Sequence, residues 1–195
     1  MSLVAALQKF PVTRDLIYRL GEPRGQSMLE DFEEFLHPGE TLLDVGTGIG
    51  NAAVLLLDKG YALTPLDVVN LTFTPKITPV IYDGEHMPFK NNQFETALIL
   101  TVLHHTASPD TVLKEAKRVA RRIIVTEDVY FNIWHKYATY FMDSLLNLEF
   151  KGHPHTNRTD GQWKATFKRM GLKLKHEKSM KSFIVMRHKL YVLEK

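Results

Sequence analysis

Apolar residues fall into two kinds of run along this chain. Thr41–Val45, Phe94–Leu100 and Ile123–Thr126 are short and nearly unbroken, as strands covered on both faces of a parallel sheet are. Asp110–Ala120 instead repeats its apolar positions at a period near 3.6, which puts Leu113, Ala116 and Val119 on one helix face. Glycine and proline punctuate the pattern. Pro38-Gly39 turns the chain into the first strand, and Gly60 closes a helix that starts at Asn51. Tyr61–Asp67 reads as a second strand, irregular at Pro65, and Thr78–Asp83 as a third. Thr159-Asp160-Gly161-Gln162 fits a capping box for a helix that Gly171 ends. Ser27-Met28-Leu29-Glu30 fits another, predicting a helix through Leu36 inside a helical segment with breaks. Leu172–Lys178 and Phe183–Leu193, joined by a short link, predict an antiparallel hairpin. Strands alternating with helices give an α/β protein. Its seven-stranded sheet is expected to be mostly parallel, with an antiparallel C-terminal hairpin and helices on both faces.

The 195 residues, 44% of them hydrophobic, suit one globular domain with its own core. Within it, residues 1–37 read as an N-terminal helical segment and 128–162 as a lid insertion. There is no cysteine, which excludes disulfides, cysteine nucleophiles and thiolate metal sites and fits a reducing, cytoplasmic location. No apolar run is long enough for a membrane span, and no secretory leader is expected. The net charge of +3 is unevenly spread. Residues 163–195 hold ten Lys or Arg against two Glu, a local net of +8 that leaves −5 for the rest. Such an end either attracts nucleic acid or is an ordinary solvated face.

Candidate chemistry gathers where the predicted strands end. Gly46-Thr47-Gly48-Ile49-Gly50 follows the first strand and opens a helix, forming a cradle for a nucleoside-containing ligand. In open α/β sheets ligands sit beyond the carboxyl ends of the strands. There the sequence places Asp67 after strand two, Asp83-Gly84-Glu85 after strand three, and Thr101, His104 and His105 after strand four. Glu127 and Asp128 follow strand five. Asp67, 17 residues past Gly50, suits a ribose contact. A dinucleotide site wants glycine at the sixth position of the turn, where Asn51 stands.

These segments resemble the class I S-adenosylmethionine-dependent methyltransferases, a Rossmann-like family. Leu43-Asp44-Val45-Gly46-Thr47-Gly48-Ile49-Gly50 resembles their first motif, and Asp67 the acidic residue of the second. Asp83-Gly84-Glu85-His86-Met87-Pro88-Phe89 resembles the third. Leu103-His104-His105-Thr106 resembles the type 11 subgroup, which includes quinone-biosynthesis enzymes. The resemblance implies S-adenosylmethionine as cofactor. It implies that Gly46, Thr47 and Gly48 pack on its methionine part and that Asp44 anchors the loop or the amino acid moiety. By the same resemblance Asp67 holds the ribose beside Val68, Asp83 and Gly84 (with Glu85) read the adenine edge, and Thr101 approaches the methionine. Arg14, Arg19 and Arg24 are alternatives for the cofactor carboxylate. The chain departs from the family between Asn70 and Ile77, which is too short for the usual helix.

Methyl transfer is an in-line displacement in which alignment supplies much of the catalysis. A neutral acceptor needs a base, and His104 is the candidate. Trp134, Tyr137 and Phe141, in an aromatic stretch at helical spacing, are candidates to contact a flat or greasy small-molecule acceptor. The alternatives are a nucleic-acid methyltransferase using 163–195 and a non-catalytic cofactor-binding module. No metal site is expected.

Overall fold

The computed structural model describes residues 3–131, 134, 137, 156–181 and 187–195. Two helices lead, α1 (Leu3–Lys9) and α2 (Pro11–Phe32), followed by a 3-10 turn at Glu33–Phe35. Then come β1 (Thr41–Val45), α3 (Asn51–Asp58), β2 (Ala62–Asp67), β3 (Val80–Ile81) and β4 (Phe94–Leu100). A 3-10 turn at Leu103–His105 precedes α4 (Pro109–Val119) and β5 (Ala120–Asp128). The chain ends with α5 (Asp160–Arg169), β6 (Lys173–Lys181) and β7 (Arg187–Glu194).

The seven strands lie in the order β3-β2-β1-β4-β5-β7-β6. The first five are parallel, and β7 runs antiparallel to both β5 and β6. Alternation along the strands feeds two cores. Leu43, Val45, Ala97, Ile99, Ile123 and Val125 face α4 and α5, where Trp163 and Phe167 pack. Leu42, Leu98, Ile124 and Leu190 face the other side and meet Leu29 and Phe32 of α2 and Leu56 of α3. The expected capping box opens α5: Thr159 Oγ1 accepts from the Gln162 N–H, and Gln162 Oε1 accepts from the Thr159 N–H. Gly171, with φ +67°, ends that helix.

Several expectations are corrected. Ser27–Glu30 does not open a helix, because α2 runs unbroken from Pro11, which stands at its first position without needing an N–H there. β3 shrinks to two residues, so Pro65 lies outside the stretch of β2 that pairs with it and interrupts no hydrogen bond there. β5 extends through Asp128, and α5 takes Asp160–Gln162, so the lid segment loses both its ends. Most of what remains of it, Phe141 included, lies outside the described residues.

No helix forms between Asn70 and Ile77. The Phe73 N–H donates to Ile49 O at 3.1 Å instead, and Ile77 packs with Ala53, Val54 and Tyr18. α2 therefore covers the flank that the short connection leaves open. Gly21 and Gly25 let it approach closely. A Cβ on Gly25 would fall 2.7 Å from Asn51 Cβ, and one on Gly21 would fall 2.3 Å from Asn51 Oδ1. Asn51 Nδ2 donates to Tyr18 O at 2.9 Å, tying α2 to the start of α3.

Candidate functional site

β1 delivers the chain to the glycine loop in the middle of the sheet. Gly46, Gly48 and Gly50 have φ of +76°, +56° and +94°, a region open to glycine at little steric cost. The Gly46 and Thr47 N–H groups both donate to Leu66 O, at 2.8 and 3.2 Å, which binds the loop to β2. A Cβ on Gly46 would strike Val102, whereas one on Gly48 would meet only Gly46 O, at 3.9 Å. The loop is thus closed towards β4 and open at Gly48, where a ligand can approach the backbone.

Asp67 closes the other side of this opening. Its Oδ2 accepts from the Gly48 N–H at 2.9 Å and its Oδ1 from the Val68 N–H at 2.7 Å. The carboxylate is fixed by backbone and keeps free lone pairs on both oxygens for further donors. Val68 beside it is half exposed, and a Cβ on Gly84 would lie 3.4 Å from Val68 Cγ1. Asp67, Val68 and Gly84 therefore converge. Asp83 and Glu85 are exposed. Asp83 Oδ1 accepts from the Glu85 and His86 N–H groups at 2.8 and 2.6 Å, and these bonds hold its carboxyl below the usual carboxylate range. The Met87-Pro88-Phe89 part of the motif is structural. Arg118 donates to Met87 O and Phe89 O, Met87 is buried, and Phe89 meets Phe94 edge-on.

Asp44 is buried, and burial pushes its carboxyl up to about 7, with Asp67 adding repulsion. Thr101, at the end of β4, has φ +57°, an uncommon conformation for a β-branched residue. Its N–H donates to Thr126 O at 2.7 Å and its hydroxyl to Leu100 O at 2.7 Å. Strain of this kind concentrates at functional sites. Arg24 Nη2 stands 3.5 Å from Thr101 Oγ1, whereas Arg14 pairs with Asp15. Of the N-terminal arginines, Arg24 is therefore the one seen at the rim beside Thr101, a choice sequence alone left open.

His104 lies in the 3-10 turn after β4. It is 1% exposed, with Nδ1 2.6 Å from Glu127 Oε2. The other Glu127 oxygen accepts from the Val102 and Leu103 N–H groups at 3.0 and 2.6 Å. Asp128 Oδ2 lies 3.9 Å from His104 Nε2, and Asp128 Oδ1 lies 2.9 Å from His188 Nε2. Glu127 was placed beyond β5 by sequence; in the structure it lies inside the strand and shapes the loop after β4. Trp134 and Tyr137 point outward, 82% and 62% exposed. A cleft of about 370 Å³ lies away from the glycine loop, lined by Asp110, Thr111, Lys114 and Lys117 of α4 and by Met170. Among the described residues no group of acids and histidines could hold a metal ion.

A family model described as a methyltransferase domain matches residues 43–123. The stretch from β1 into β5 is thus similar to a methyltransferase domain. It is 29% identical over 133 residues to a demethylmenaquinone methyltransferase of Renibacterium salmoninarum, covering 61% of this chain and 54% of the relative. It is 26% identical over 113 residues to a tRNA (carboxymethyluridine(34)-5-O)-methyltransferase of Schizosaccharomyces pombe, covering 55% of this chain and 47% of the relative. The matches thus span about half the length of these curated relatives. An S-adenosylmethionine-dependent methyltransferase from Methanosarcina mazei shares the fold, with a TM-score of 0.62 at 14% identity, covering 84% of this chain and 96% of that one. No helix among the described residues is long and apolar enough to cross a membrane.

Proposed function

We propose that this chain is a methyltransferase that moves the methyl group of S-adenosylmethionine to a small-molecule acceptor. One observation carries the cofactor half of the reading: Asp67, clamped to the Gly48 N–H, beside the one loop glycine whose Cβ direction is open. When bound, the cofactor supplies an electrophilic methyl on a sulfonium that leaves as a neutral thioether. The chain's own residues bind and orient. Asp67 accepts from the ribose hydroxyls, Val68 and Gly84 flank the adenine with Asp83 and Glu85 at its edge, and Gly46, Thr47 and Gly48 present backbone to the methionine. Arg24 beside Thr101 takes the carboxylate, and Asp44 faces the cationic end. His104, held by Glu127, is the candidate proton acceptor, and Trp134, Tyr137 and Phe141 are the candidate acceptor contacts.

Charge pairing favours a small acceptor over nucleic acid. Lys164 and Lys189 pair with Asp160 and Glu177, Arg169 with Asp110, Lys175 with Glu194, and Lys178 with Asp31 and Glu34. Much of the local +8 is offset within the fold, which leaves less for a phosphate backbone to release counterions against. The demethylmenaquinone-methylating relative supports a quinone-like small acceptor. The tRNA-modifying relative keeps a nucleic-acid acceptor as the second reading. Calorimetric titration with S-adenosylmethionine and with NAD tests the cofactor: heat with the first and none with the second is expected, and the reverse overturns the reading. Turnover on a panel of small acceptors and on transfer RNA separates the two acceptor classes, and cofactor binding without any turnover returns the binding-module alternative.

A further inference from the structure

α2 is apolar on two opposite sides. Gly25, Leu29 and Phe32 face the fold and are buried. Val12, Leu16 and Leu20, each four residues apart and so on one face, are 80%, 56% and 73% exposed, and Phe10 just before the helix is 63% exposed. The stripe has a defined place. α2 has 22 residues, about 33 Å of helix, and α3 has eight, about 12 Å. Glu33 pairs with Lys59 at the far end of α3, and Gly21 and Gly25 meet Ile49 and Asn51 at its start. Residues 11–20 therefore project past the carboxyl edge of the sheet. α1 folds back beneath them, with Gln8 Nε2 donating to Asn70 O and Thr72 O. Exposed Val68 and Val69, just past the end of β2, lie at this same edge.

Charge says what covers the stripe. Residues 9–24 carry Lys9, Arg14, Arg19 and Arg24 against Asp15 and Glu22. Apart from Arg24 at the cofactor rim and the Arg14–Asp15 pair, Lys9 and Arg19 are exposed against Glu22, and Arg19 lies three residues from Leu16, beside the stripe. The acids Glu30, Asp31, Glu33 and Glu34 sit at the opposite end. An exposed apolar stripe with cations at its borders is the chemistry of a helix lying in a lipid interface. From this juxtaposition we infer that the outward face of residues 10–20 docks on an anionic lipid surface, setting the carboxyl edge of the sheet against the bilayer.

The test is flotation of the full chain with phosphatidylcholine vesicles, with and without phosphatidylglycerol. Binding is expected with phosphatidylglycerol, falling about tenfold or more in Leu16→Glu/Leu20→Glu and also falling in Arg19→Glu. Neither leucine is among the residues of the cofactor site, so unfolding midpoint and cofactor affinity, read on the double-leucine variant, should stay unchanged. No flotation overturns the inference, as does flotation that the double variant retains. A wild-type dimer that the double variant dissociates, with no vesicle binding, would assign the stripe to a second copy and also overturn it. Cofactor titration, read separately, keeps this result distinct from the fate of the methyl-transfer reading.

Discussion

His104 Nδ1 and Glu127 Oε2 lie 2.6 Å apart with both side chains out of solvent. One buried carboxylate thereby gathers the imidazole and the Val102 and Leu103 N–H groups, three donors from the turn after β4. Removing it leaves all three without their acceptor. Glu127→Ala should therefore cost about 3–5 kcal/mol of unfolding free energy, read by urea denaturation. His104→Gln separates structure from chemistry. Lower kcat with unchanged cofactor affinity and unfolding midpoint is the expected signature of a proton acceptor. Full turnover removes His104 from the mechanism.

Asp44 sets a pH dependence with a definite sign. Its carboxyl ionises near 3.8 in the unfolded chain and near 7 in the fold, chiefly because burial penalises the charge. Between those values folding takes up a proton, so this contribution to stability is full below 3.8 and is lost as pH rises through about 7. Asp44→Asn should flatten that slope and make the ligand-free protein more stable above neutrality. The same variant should bind S-adenosylmethionine more weakly, because the cationic end loses its counter-charge. A stabilised protein with undiminished affinity would show that Asp44 does not face the cofactor.

Much of this arrangement was legible in the chain. The strand at Thr41–Val45, the glycine turn and the acid at Asp67 are local patterns whose geometry follows from neighbouring residues. The cap at Thr159 and the terminal hairpin were readable for the same reason. What escaped was long-range. Nothing near Arg24 in sequence says that it reaches Thr101, 77 positions away. Glu127 looked like a residue past a strand end, since β7 pairing as far as Asp128 is what extends β5. Ser27 fitted a capping box, but a local signal yields when the residues before it already form a helix packed through Gly21 and Gly25.

The rim assignment predicts two different losses. Asp67→Ala removes an acceptor of charge-assisted hydrogen bonds and should weaken cofactor binding by about 1.5–3 kcal/mol, roughly ten- to a hundredfold. Arg24 is exposed, so Arg24→Ala should lose less, about 1 kcal/mol. Arg14→Ala should lose nothing measurable. Calorimetric titration ranks the three, and equal affinities for the Arg24 and Arg14 variants would refute the choice of Arg24.

Two glycines in α2 set helix propensity against packing. Replacing glycine by alanine inside a helix ordinarily stabilises by about 1 kcal/mol. At Gly25 the new methyl would stand 2.7 Å from Asn51 Cβ and 3.4 Å from the Ala52 backbone nitrogen, neither of which can swing aside. Overpacking of this kind costs about 1–3 kcal/mol, so Gly25→Ala should be net destabilising. At Gly21 the nearest atoms are Asn51 Oδ1 and Ile49 Cδ1, the ends of side chains that can rotate. Gly21→Ala should be milder, at the expense of the bond from Asn51 to Tyr18 O. Because Asn51 begins α3, pushing α2 outward also loosens the glycine loop. Gly25→Ala should thus lower both the urea midpoint and cofactor affinity, and Gly21→Ala should lower both by less. A Gly25→Ala protein more stable than wild type would mean that α2 does not sit this close to the start of α3.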